Sequence, residues 1–460
     1  MCGGSIGRRA SAIGLVCVVV PLTVLGWGAS RRPAPTVSGP HDFSVFAYEL
    51  ELQIDRDHKS LSGREKLRLR SAGDGLAVID FPANGIQITS VTSERGEALP
   101  VVTANDRIEI RLPIALANDQ EVAINVAYSA IEPKGVVFHP DAIYTSFDTC
   151  HWMVCRDRPD DKATLTLAMT VADGFTLVAS GAPVGGQKPD GAPGRQIWKE
   201  SLPSSPYLFG FAIGKFSRTA RTHRGVTLEY FATGVDEGVL RRWFADDDRM
   251  LDFFVEKAGR PLPRPFYRQV VVEGGAAQEV SSFSILGRDQ LEPRLTDPTE
   301  DWLVAHEMAH QFWGNLITCA EWSHFWLNEG LTVFMVAAYK ERRWGRPAYE
   351  HELGLFRGRY QAAIDAKLDV PLTFGGTYPS LRMKRAIVYS KGALFLDRLR
   401  VTMGDRAFWR ALKTYTRRFA GRAVESQDFQ RVFAAETDRD LSALFDAWVY
   451  GPAQQTTPTW

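Results

Sequence analysis

Two hydrophobic periodicities divide this sequence and limit the folds that it can adopt. Between residues 42 and 220, short apolar alternations such as YELELQID and RIEIRL follow one another, and Gly, Asp and Asn separate them. A period of two residues is typical of β-strands, and no helical period lies between these stretches. This region therefore predicts an all-β, sandwich-like domain.

Beyond about residue 222 the apolar residues recur at helical spacing. The stretches EGVLRRWFADDDRMLDFFVEKAG, LTVFMVAAYKERRWG and IVYSKGALFLDRLRVTMG each end on glycine, the residue that most often follows a helix. RQVVVE and SSFSIL, between the first two of these stretches, are typical of strands. We therefore expect an α+β multidomain chain, with a β domain at residues 41–222 and a helix-rich α+β domain at residues 223–460.

The first 40 residues have the composition of a targeting segment. A basic start, MCGGSIGRR, precedes an apolar stretch at residues 10–27, and a linker rich in Pro, Gly and Ser follows. This order is typical of a signal peptide, but the apolar stretch is also near the shortest length that spans a membrane. A cleaved signal and an uncleaved membrane tether both predict that the rest of the chain is exported, periplasmic or extracellular, or anchored facing outward.

The overall charge argues against one class of partner. Lys plus Arg and Asp plus Glu both number 54, so the formal net charge at pH 7 is zero. Surfaces that bind nucleic acid usually carry a clear excess of basic residues. We therefore expect no nucleic-acid partner.

The five cysteines leave one question open. Cys2 and Cys17 lie in the leader, and Cys319 lies near the histidine-rich region. Cys150 and Cys155 could form a local disulfide in an exported protein, or they could be two buried thiols.

His306, Glu307 and His310 form the pattern H-E-x-x-H within WLVAHEMAHQFWGN. Residues four apart in a helix lie on the same face, about one turn apart, since each residue rotates by roughly 100°. Two imidazoles at this spacing can bind one metal ion. The alternative is two unrelated histidines on an ordinary helix, and the surrounding helical signals argue against it.

The ends of the helix that carries this pattern are also predicted. Asp297 is a candidate N-cap, Pro298 takes the first helical position and Glu300 the third. Gly314 and Asn315 mark the predicted end. The two histidines would then lie in the middle of the helix.

Glu329 is the leading candidate for a third ligand, because NEG begins a second apolar helix that can pack against the first. Two His and one Glu leave a fourth tetrahedral position open for water, as in catalytic zinc sites. Glu307 would then act as the general base. His and carboxylate ligands favour zinc over iron, although cobalt or manganese could substitute. We expect one zinc ion per chain.

The stretch HEMAHQFWGNLITCAEWSHFWLNEGLTVF resembles the zinc site of the aminopeptidase N and leukotriene hydrolase family of gluzincin metallopeptidases. The family pattern is H-E-x-x-H, eighteen residues, and Glu within W-L-N-E-G, and Glu329 follows His310 at this interval. CRDRPDDKATLTL at residues 155–167 resembles a stretch of the family's β domain. The resemblance covers roughly residues 42–455. It implies a thermolysin-like α+β zinc peptidase domain after the β domain.

VYSKGA at residues 388–393 resembles the family's V-Y-E-K-G-A helix. The resemblance implies that Tyr389 stabilises the tetrahedral intermediate, since a phenol near the metal can donate a hydrogen bond to a developing oxyanion. Ser390 replaces the usual glutamate, next to the tyrosine rather than at it.

The family motif G-A-M-E-N, whose glutamate holds the substrate's free amine, corresponds here to GGAAQEVSSFSIL at residues 274–286. Aligning the strand that follows places Glu279 at the glutamate, whereas aligning Gly275 with the motif glycine places Gln278 there. A slip of one residue turns a strand side chain to the opposite face. We favour Glu279, because a carboxylate suits an ammonium, and we expect the Gly274–Gly275 backbone to help position the substrate N-terminus.

LFDAWVYGPAQQTTPTW resembles the end of the family's peptidase domain. We therefore expect the family's helical C-terminal domain to be absent and the cleft to be more open. The resulting hypothesis is a zinc-dependent aminopeptidase that acts on peptides with a free N-terminus. The alternatives are a zinc endopeptidase or epoxide hydrolase on the same fold, and a catalytically inactive binding homologue.

Overall fold

The protein is described by a computed structural model over residues 42–186 and 194–451. The predicted signal peptide or membrane tether at residues 1–40 lies outside the described residues. Within those two ranges, no helix is long and apolar enough to cross a membrane.

The first region consists of strands, as the alternating pattern predicts. In β2, every second residue from Leu61 to Ser71 is buried, which is the period of a strand with one face on the core. The strands are β1 (Phe43–Asp55), β2 (Ser60–Ser71), β3 (Leu76–Pro82), β4 (Gln87–Ser93), β5 (Val101–Ala104), β6 (Arg107–Leu116), β7 (Glu121–Ile131), β8 (Val136–Phe138), β9 (Ala142–Thr145), β10 (Ala163–Val171), β11 (Thr176–Ala179), β12 (Ala182–Pro183), β13 (Gly194–Ser204) and β14 (Phe211–Gly214).

These strands form three sheets. The largest has the order β12-β13-β10-β1-β2-β7-β4, in which only the β1–β10 pair is parallel. A sheet of order β11-β14-β9-β8 and a sheet of order β3-β6-β5 complete the region. Their inward-facing residues form one hydrophobic cluster, which confirms the predicted sheet domain.

The second region mixes a sheet with helices, which confirms the α+β prediction. Its strands are β15 (Phe216–His223), β16 (Val226–Thr233), β17 (Phe266–Val272), β18 (Ala277–Gln278), β19 (Phe283–Gly287), β20 (Thr318–Cys319) and β21 (Ala423–Val424). Its helices are α1 (Glu237–Trp243), α2 (Asp247–Ala258), α3 (Arg288–Leu291), α4 (Trp302–His310), α5 (Trp326–Trp344), α6 (Arg346–Asp365), α7 (Leu381–Arg385), α8 (Gly392–Met403), α9 (Asp405–Arg418), α10 (Ser426–Ala434) and α11 (Ser442–Phe445).

A five-stranded sheet of order β15-β16-β17-β19-β18 supports these helices. Strands β16, β17 and β19 run parallel, and the short strand β18 lies antiparallel at the edge. The predicted domain boundary at 222–223 falls at the end of β15, inside this sheet, so the division of the chain into two domains stays a prediction. The edge position of β18 matters because the residue that follows it is Glu279.

The helix that carries H-E-x-x-H differs from its predicted bounds. It begins at Trp302 rather than after Asp297, because the Asp297 carboxylate accepts hydrogen bonds from the Thr299 backbone N–H (2.9 Å) and hydroxyl (2.7 Å) and forms a local turn instead. The helix ends at His310, four residues before Gly314. His310 is therefore the last helical residue and not a mid-helix one, although the i,i+4 spacing is preserved.

Of the two alternatives for the neighbouring cysteines, the structure has two buried thiols. The Sγ atoms of Cys150 and Cys155 lie 2.7 Å apart, and both residues are free, as is Cys319. Burial raises the pKa of the Cys155 thiol well above its usual value. Cys2 and Cys17 lie outside the described residues.

Candidate metal centre

Helices α4 and α5 bring the three predicted ligands together. His306 and His310 project from α4 and Glu329 from the first turn of α5, and all three side chains are buried. Each can offer one ligand atom to a shared point, with all these atoms within 4.8 Å of one another. The sequence spacing therefore corresponds to a real cluster.

The separations within the cluster suit a tetrahedral ion. The Nε2 atoms of His306 and His310 are 3.1 Å apart, and each lies 3.4 Å from the same Glu329 oxygen, Oε2. Ligand atoms at 2.0–2.1 Å from a tetrahedral zinc ion are separated by about 3.3 Å. The three residues therefore fit zinc and leave a fourth position open.

Neighbouring residues fix the orientation of both imidazoles. His310 Nδ1 lies 3.0 Å from the Trp313 carbonyl oxygen, a contact that directs Nε2 towards the cluster. Gly314 has φ +127°, and a Cβ there would lie 2.6 Å from His310 Nδ1, so the glycine leaves room for this ring. Trp302 stacks on His306 with ring centroids 4.6 Å apart.

The charges around the cluster favour a cation. Burial and the neighbouring His310 lower the pKa of His306 to about 4. Burial opposes protonation of His310 as well, but Glu329 and Glu279 raise the pKa of His310 to about 10. Three buried carboxylates, those of Glu279, Glu307 and Glu329, thus surround two imidazoles. A divalent cation would balance this excess of negative charge.

Glu307 lies beside the ligands with an unused oxygen. It is 2 % exposed, and its Oε2 atom has no hydrogen-bond partner among the described residues. Burial raises the pKa of Glu307 well above its usual value, and the nearby Glu279 and Glu329 raise it further. A buried carboxylate without a protein partner is suited to accept a proton from a water molecule at the cluster.

Tyr389 faces the cluster from a third element. It lies in a π-helical segment, Ala386–Lys391, between α7 and α8, and its ring centroid is 6.4 Å from that of His306. Burial and the nearby Glu329 raise the pKa of the Tyr389 phenol well above its usual value, so the hydroxyl remains a donor. Single π turns within helices are frequent at functional sites.

The segment after β18 brings Glu279 to the same site. Glu279 interacts electrostatically with His310 and Glu329, and burial raises its pKa to about 7. The carbonyl of the next residue, Val280, accepts a hydrogen bond from Asn315 Nδ2 (3.2 Å), which ties this segment to the end of the α4 region.

Gln278 is also buried, but it differs from Glu279 in its surroundings. It pairs with Ile285 in the β18–β19 ladder, and neither side-chain polar atom has a partner among the described residues. Glu279 interacts electrostatically with the metal cluster, and the choice between Glu279 and Gln278 as the amine-binding residue stays a prediction.

Gly274 and Gly275 form the turn between β17 and β18. Gly274 has φ +82°, which favours glycine, and its carbonyl accepts a hydrogen bond from the Asp289 backbone (3.2 Å). The Gly275 carbonyl accepts one from Gln290 Nε2 (3.2 Å). Both carbonyls therefore hold the turn itself, and a contact between this turn and a substrate stays a prediction.

Glu329 has a support that the local sequence pattern does not predict. Asn328 donates from Nδ2 to the Tyr207 hydroxyl (2.9 Å), and its Oδ1 accepts from the Cys319 backbone N–H (3.0 Å). Tyr207 is 121 residues away in the sequence. The Asn in NEG was the available signal, because a buried amide requires partners for both of its ends.

The two helices and their His-His-Glu cluster define a site of the gluzincin metallopeptidase class, and comparison with known proteins agrees. The peptidase family M1 domain matches residues 284–448. Leucine aminopeptidase 2 of Aspergillus oryzae is 29% identical over 340 residues, 66% of this chain and 51% of that protein. Aminopeptidase N of Lactobacillus helveticus is 25% identical over 446 residues, 88% of this chain and 50% of that protein.

Solved structures share this fold over most of the chain. The M1 zinc metallopeptidase from Deinococcus radiodurans superimposes with a TM-score of 0.74 at 22% identity, over 90% of this chain and 96% of that one. A mutant of the same protein has been solved with a Tyr-Ser-Ala substrate. This chain spans about half the length of the curated relatives it matches. The matching domain, the curated relatives and the solved structures together support a place for this chain in the aminopeptidase N-like family of gluzincin zinc metallopeptidases.

Proposed function

We propose that this chain is a zinc-dependent aminopeptidase that binds one zinc ion and removes N-terminal residues from peptides. The observation that carries the proposal is the triangle of His306, His310 and Glu329, with edges of 3.1 to 3.4 Å. These three residues would hold the ion. Bound zinc supplies Lewis acidity, which polarises a scissile carbonyl and lowers the pKa of a water molecule.

The residues around the ligands supply the proton transfer, the oxyanion stabilisation and the binding of the substrate amine. Glu307 accepts the proton of the attacking water and later delivers it to the leaving amine. Tyr389 donates a hydrogen bond to the oxyanion that develops on the scissile carbonyl. Glu279 binds the α-ammonium of the substrate, and its negative charge rejects peptides whose amine is blocked by a neutral group.

Relatives support peptides as the substrate class. The curated matches are named aminopeptidases, and one structural neighbour was solved with a tripeptide substrate. Because this chain spans about half of the curated relatives, we extend only the class of reaction to it, and the preferred first residue is a separate question.

A panel of amino-acid arylamides tests the proposal. The zinc-loaded protein should release the arylamine, a chelator should abolish the release, and added zinc should restore it. N-acetylated versions of the same substrates should react at least about a hundredfold more slowly, since they lack the ammonium. Equal cleavage of free and acetylated substrates would favour the endopeptidase alternative, and opening of an epoxide substrate without amide hydrolysis would favour an epoxide hydrolase.

We also propose that the leader directs export, on the basis of its basic, apolar and linker segments in that order. N-terminal sequencing of the protein recovered from fractionated cells tests this. A mature N-terminus beyond residue 27 in the soluble exported fraction supports a cleaved signal. An intact N-terminus in the membrane fraction supports a tether, and an intact cytoplasmic protein contradicts both.

A further inference from the structure

A cavity of about 440 Å³ opens beside the elements that carry the metal centre. One wall comes from the segment that leads into α5 and includes Trp322. The other comes from the connection before and within α7, with Phe374, Tyr378, Leu381 and Lys384. Most of this lining is apolar, so the cavity can cover the hydrocarbon part of a ligand.

One of the two aromatic walls is linked to the metal site by contacts. The Trp322 ring lies 5.0 Å from that of Tyr207, whose hydroxyl accepts the hydrogen bond from Asn328, the neighbour of Glu329. On the opposite wall, Phe374 and Tyr378 pack edge to face with centroids 5.3 Å apart. The Trp322 wall therefore has a fixed position relative to Glu329.

Lys384 is the one charged residue among those that line the cavity. Its Nζ lies 5.2 Å from the centroid of the Phe325 ring, and it acts on Glu279 through space, lowering the pKa of that carboxyl. It precedes Tyr389 by five positions, with α7 leading directly into the π-helical segment. The ammonium is thus held between the cavity and the site of the proposed reaction.

The surroundings of Lys384 contrast with those of two buried lysines, Lys340 and Lys391, which pair with carboxylates. Lys340 lies 2.7 Å from Glu352, and Lys391 lies 2.7 Å from Asp369. Lys384 forms no ion pair with any carboxylate of residues 42–186 or 194–451. A partly buried ammonium beside an apolar cavity, with no protein carboxylate in contact, is a binding site for an anionic group.

We infer that this cavity is a substrate subsite and that Lys384 selects a carboxylate next to the scissile bond. The inference rests on the proposed aminopeptidase function and specifies its substrates. The aromatic walls would cover the methylene groups of the bound residue, and the ammonium would pair with its carboxylate. That carboxylate has two chemical sources: an acidic side chain, or the free C-terminus of a dipeptide.

Three matched substrate pairs distinguish these sources. The first pair compares glutamyl with glutaminyl arylamide, and the second compares Leu-Glu-amide with Leu-Gln-amide. The third compares Leu-Leu with Leu-Leu-amide. We expect the wild-type protein to prefer the carboxylate member of at least one pair by about tenfold or more in kcat/KM, since charge-assisted hydrogen bonds are strong. The pair that shows the preference identifies the source.

Two variants test the residue itself. Lys384→Met keeps the length of the side chain and should abolish the preference, read as the ratio of kcat/KM values within each pair. Arg382→Met, on the exposed face of the same helix and outside the cavity lining, should retain it. Equal cleavage within all three pairs, or a preference that persists in Lys384→Met, overturns the inference.

A binding measurement separates failure of this inference from failure of the proposed reaction. The zinc-loaded Glu307→Gln protein should bind the carboxylate peptides about tenfold more tightly than their amides by calorimetry, and adding Lys384→Met should remove the difference. Binding with this preference but no hydrolysis by the wild type would overturn only the aminopeptidase proposal. Hydrolysis without any carboxylate preference would overturn only the role of Lys384.

Discussion

Gly330 and Gly392 bring the helix that carries Glu329 into direct contact with the helix that follows Tyr389. A Cβ at Gly330 would lie 2.9 Å from the Gly392 Cα and 3.0 Å from the Val388 carbonyl oxygen. Only a residue without a side chain permits this approach. The glycines of NEG and SKGA thus set the distance between a metal ligand and the tyrosine.

Gly330→Ala should therefore damage the site more than the fold. The added methyl group meets backbone on both sides, so the Tyr389 segment must shift, and we expect kcat to fall at least about tenfold with a stability loss of about 1–3 kcal/mol. Gly354→Ala is the matched control, because Gly354 is an exposed glycine of α6 with nothing within 4 Å of its Cβ position. It should leave activity unchanged and stabilise slightly. Equal effects of both variants on kcat would contradict this view of the helix contact.

Glu307→Gln should separate catalysis from metal binding. The amide cannot accept the proton of the attacking water, so kcat should fall by about 10²–10⁴. Glu307 is not one of the clustered ligand residues, so zinc content by mass spectrometry should match that of the wild type. Full zinc content together with substantial turnover would be incompatible with Glu307 as the general base.

Tyr389→Phe should affect the transition state more than substrate binding. It removes one hydrogen-bond donor from the developing oxyanion, and we expect a loss of about 10²–10³ in kcat with little change in KM. Zinc content and thermal stability should stay close to wild type, since Tyr389 is not one of the clustered ligand residues and the variant keeps the ring. A change confined to KM would assign the tyrosine to substrate binding instead.

The cluster of His306, His310 and Glu329 was predictable because its geometry is contained in two local patterns, i,i+4 on one helix and the start of the next. The β region and the α+β region were predictable for the same reason, since strand and helix periods are local. Contacts between residues that are far apart in the sequence were not predictable. Tyr207, which receives the hydrogen bond of Asn328, comes from a different part of the chain.

Competition between a helix cap and a local turn at Asp297 explains why the predicted start of the helix was wrong. Asp297 and Pro298 form a pattern that predicts an N-terminus, but the Asp297 carboxylate bonds to Thr299 and produces a turn that delays the helix until Trp302. A short polar side chain can satisfy the same backbone donors in a cap or in a turn, and the sequence does not distinguish these outcomes.

Glu279→Gln tests the amine-binding role. The change removes the negative charge opposite the substrate ammonium, so kcat/KM for unblocked arylamides should fall by about 10–100-fold, mainly through KM. N-acetylated substrates should be cleaved at least as fast as by the wild type, since the charge that rejects them is removed. Gln278→Ala is the comparison, because the Gln278 side chain forms no hydrogen bond with the described residues. A larger loss for Gln278→Ala than for Glu279→Gln would reverse the alignment.

Asp247 introduces a pH dependence into the stability of the second region. The residue is fully buried at the start of α2 and accepts a hydrogen bond from Gln269. Burial raises the pKa of Asp247 to about 7, although Arg221 and Arg294 act in the opposite direction. The folded state therefore holds this proton more tightly than the unfolded chain, in which aspartate has a pKa of about 3.9.

The difference between the folded-state and unfolded-state pKa determines how the stability changes with pH. A carboxyl with a raised folded-state pKa imposes no penalty below about pH 4, and the penalty grows as the pH rises from about 4 to about 7 and is constant above that. Asp247→Asn removes the titration. The wild type should therefore lose about 2 kcal/mol of stability relative to the variant between about pH 5 and about pH 8. Urea unfolding of the zinc-loaded proteins measures this difference. A constant difference for Asp247→Asn would mean that Asp247 does not titrate in this range.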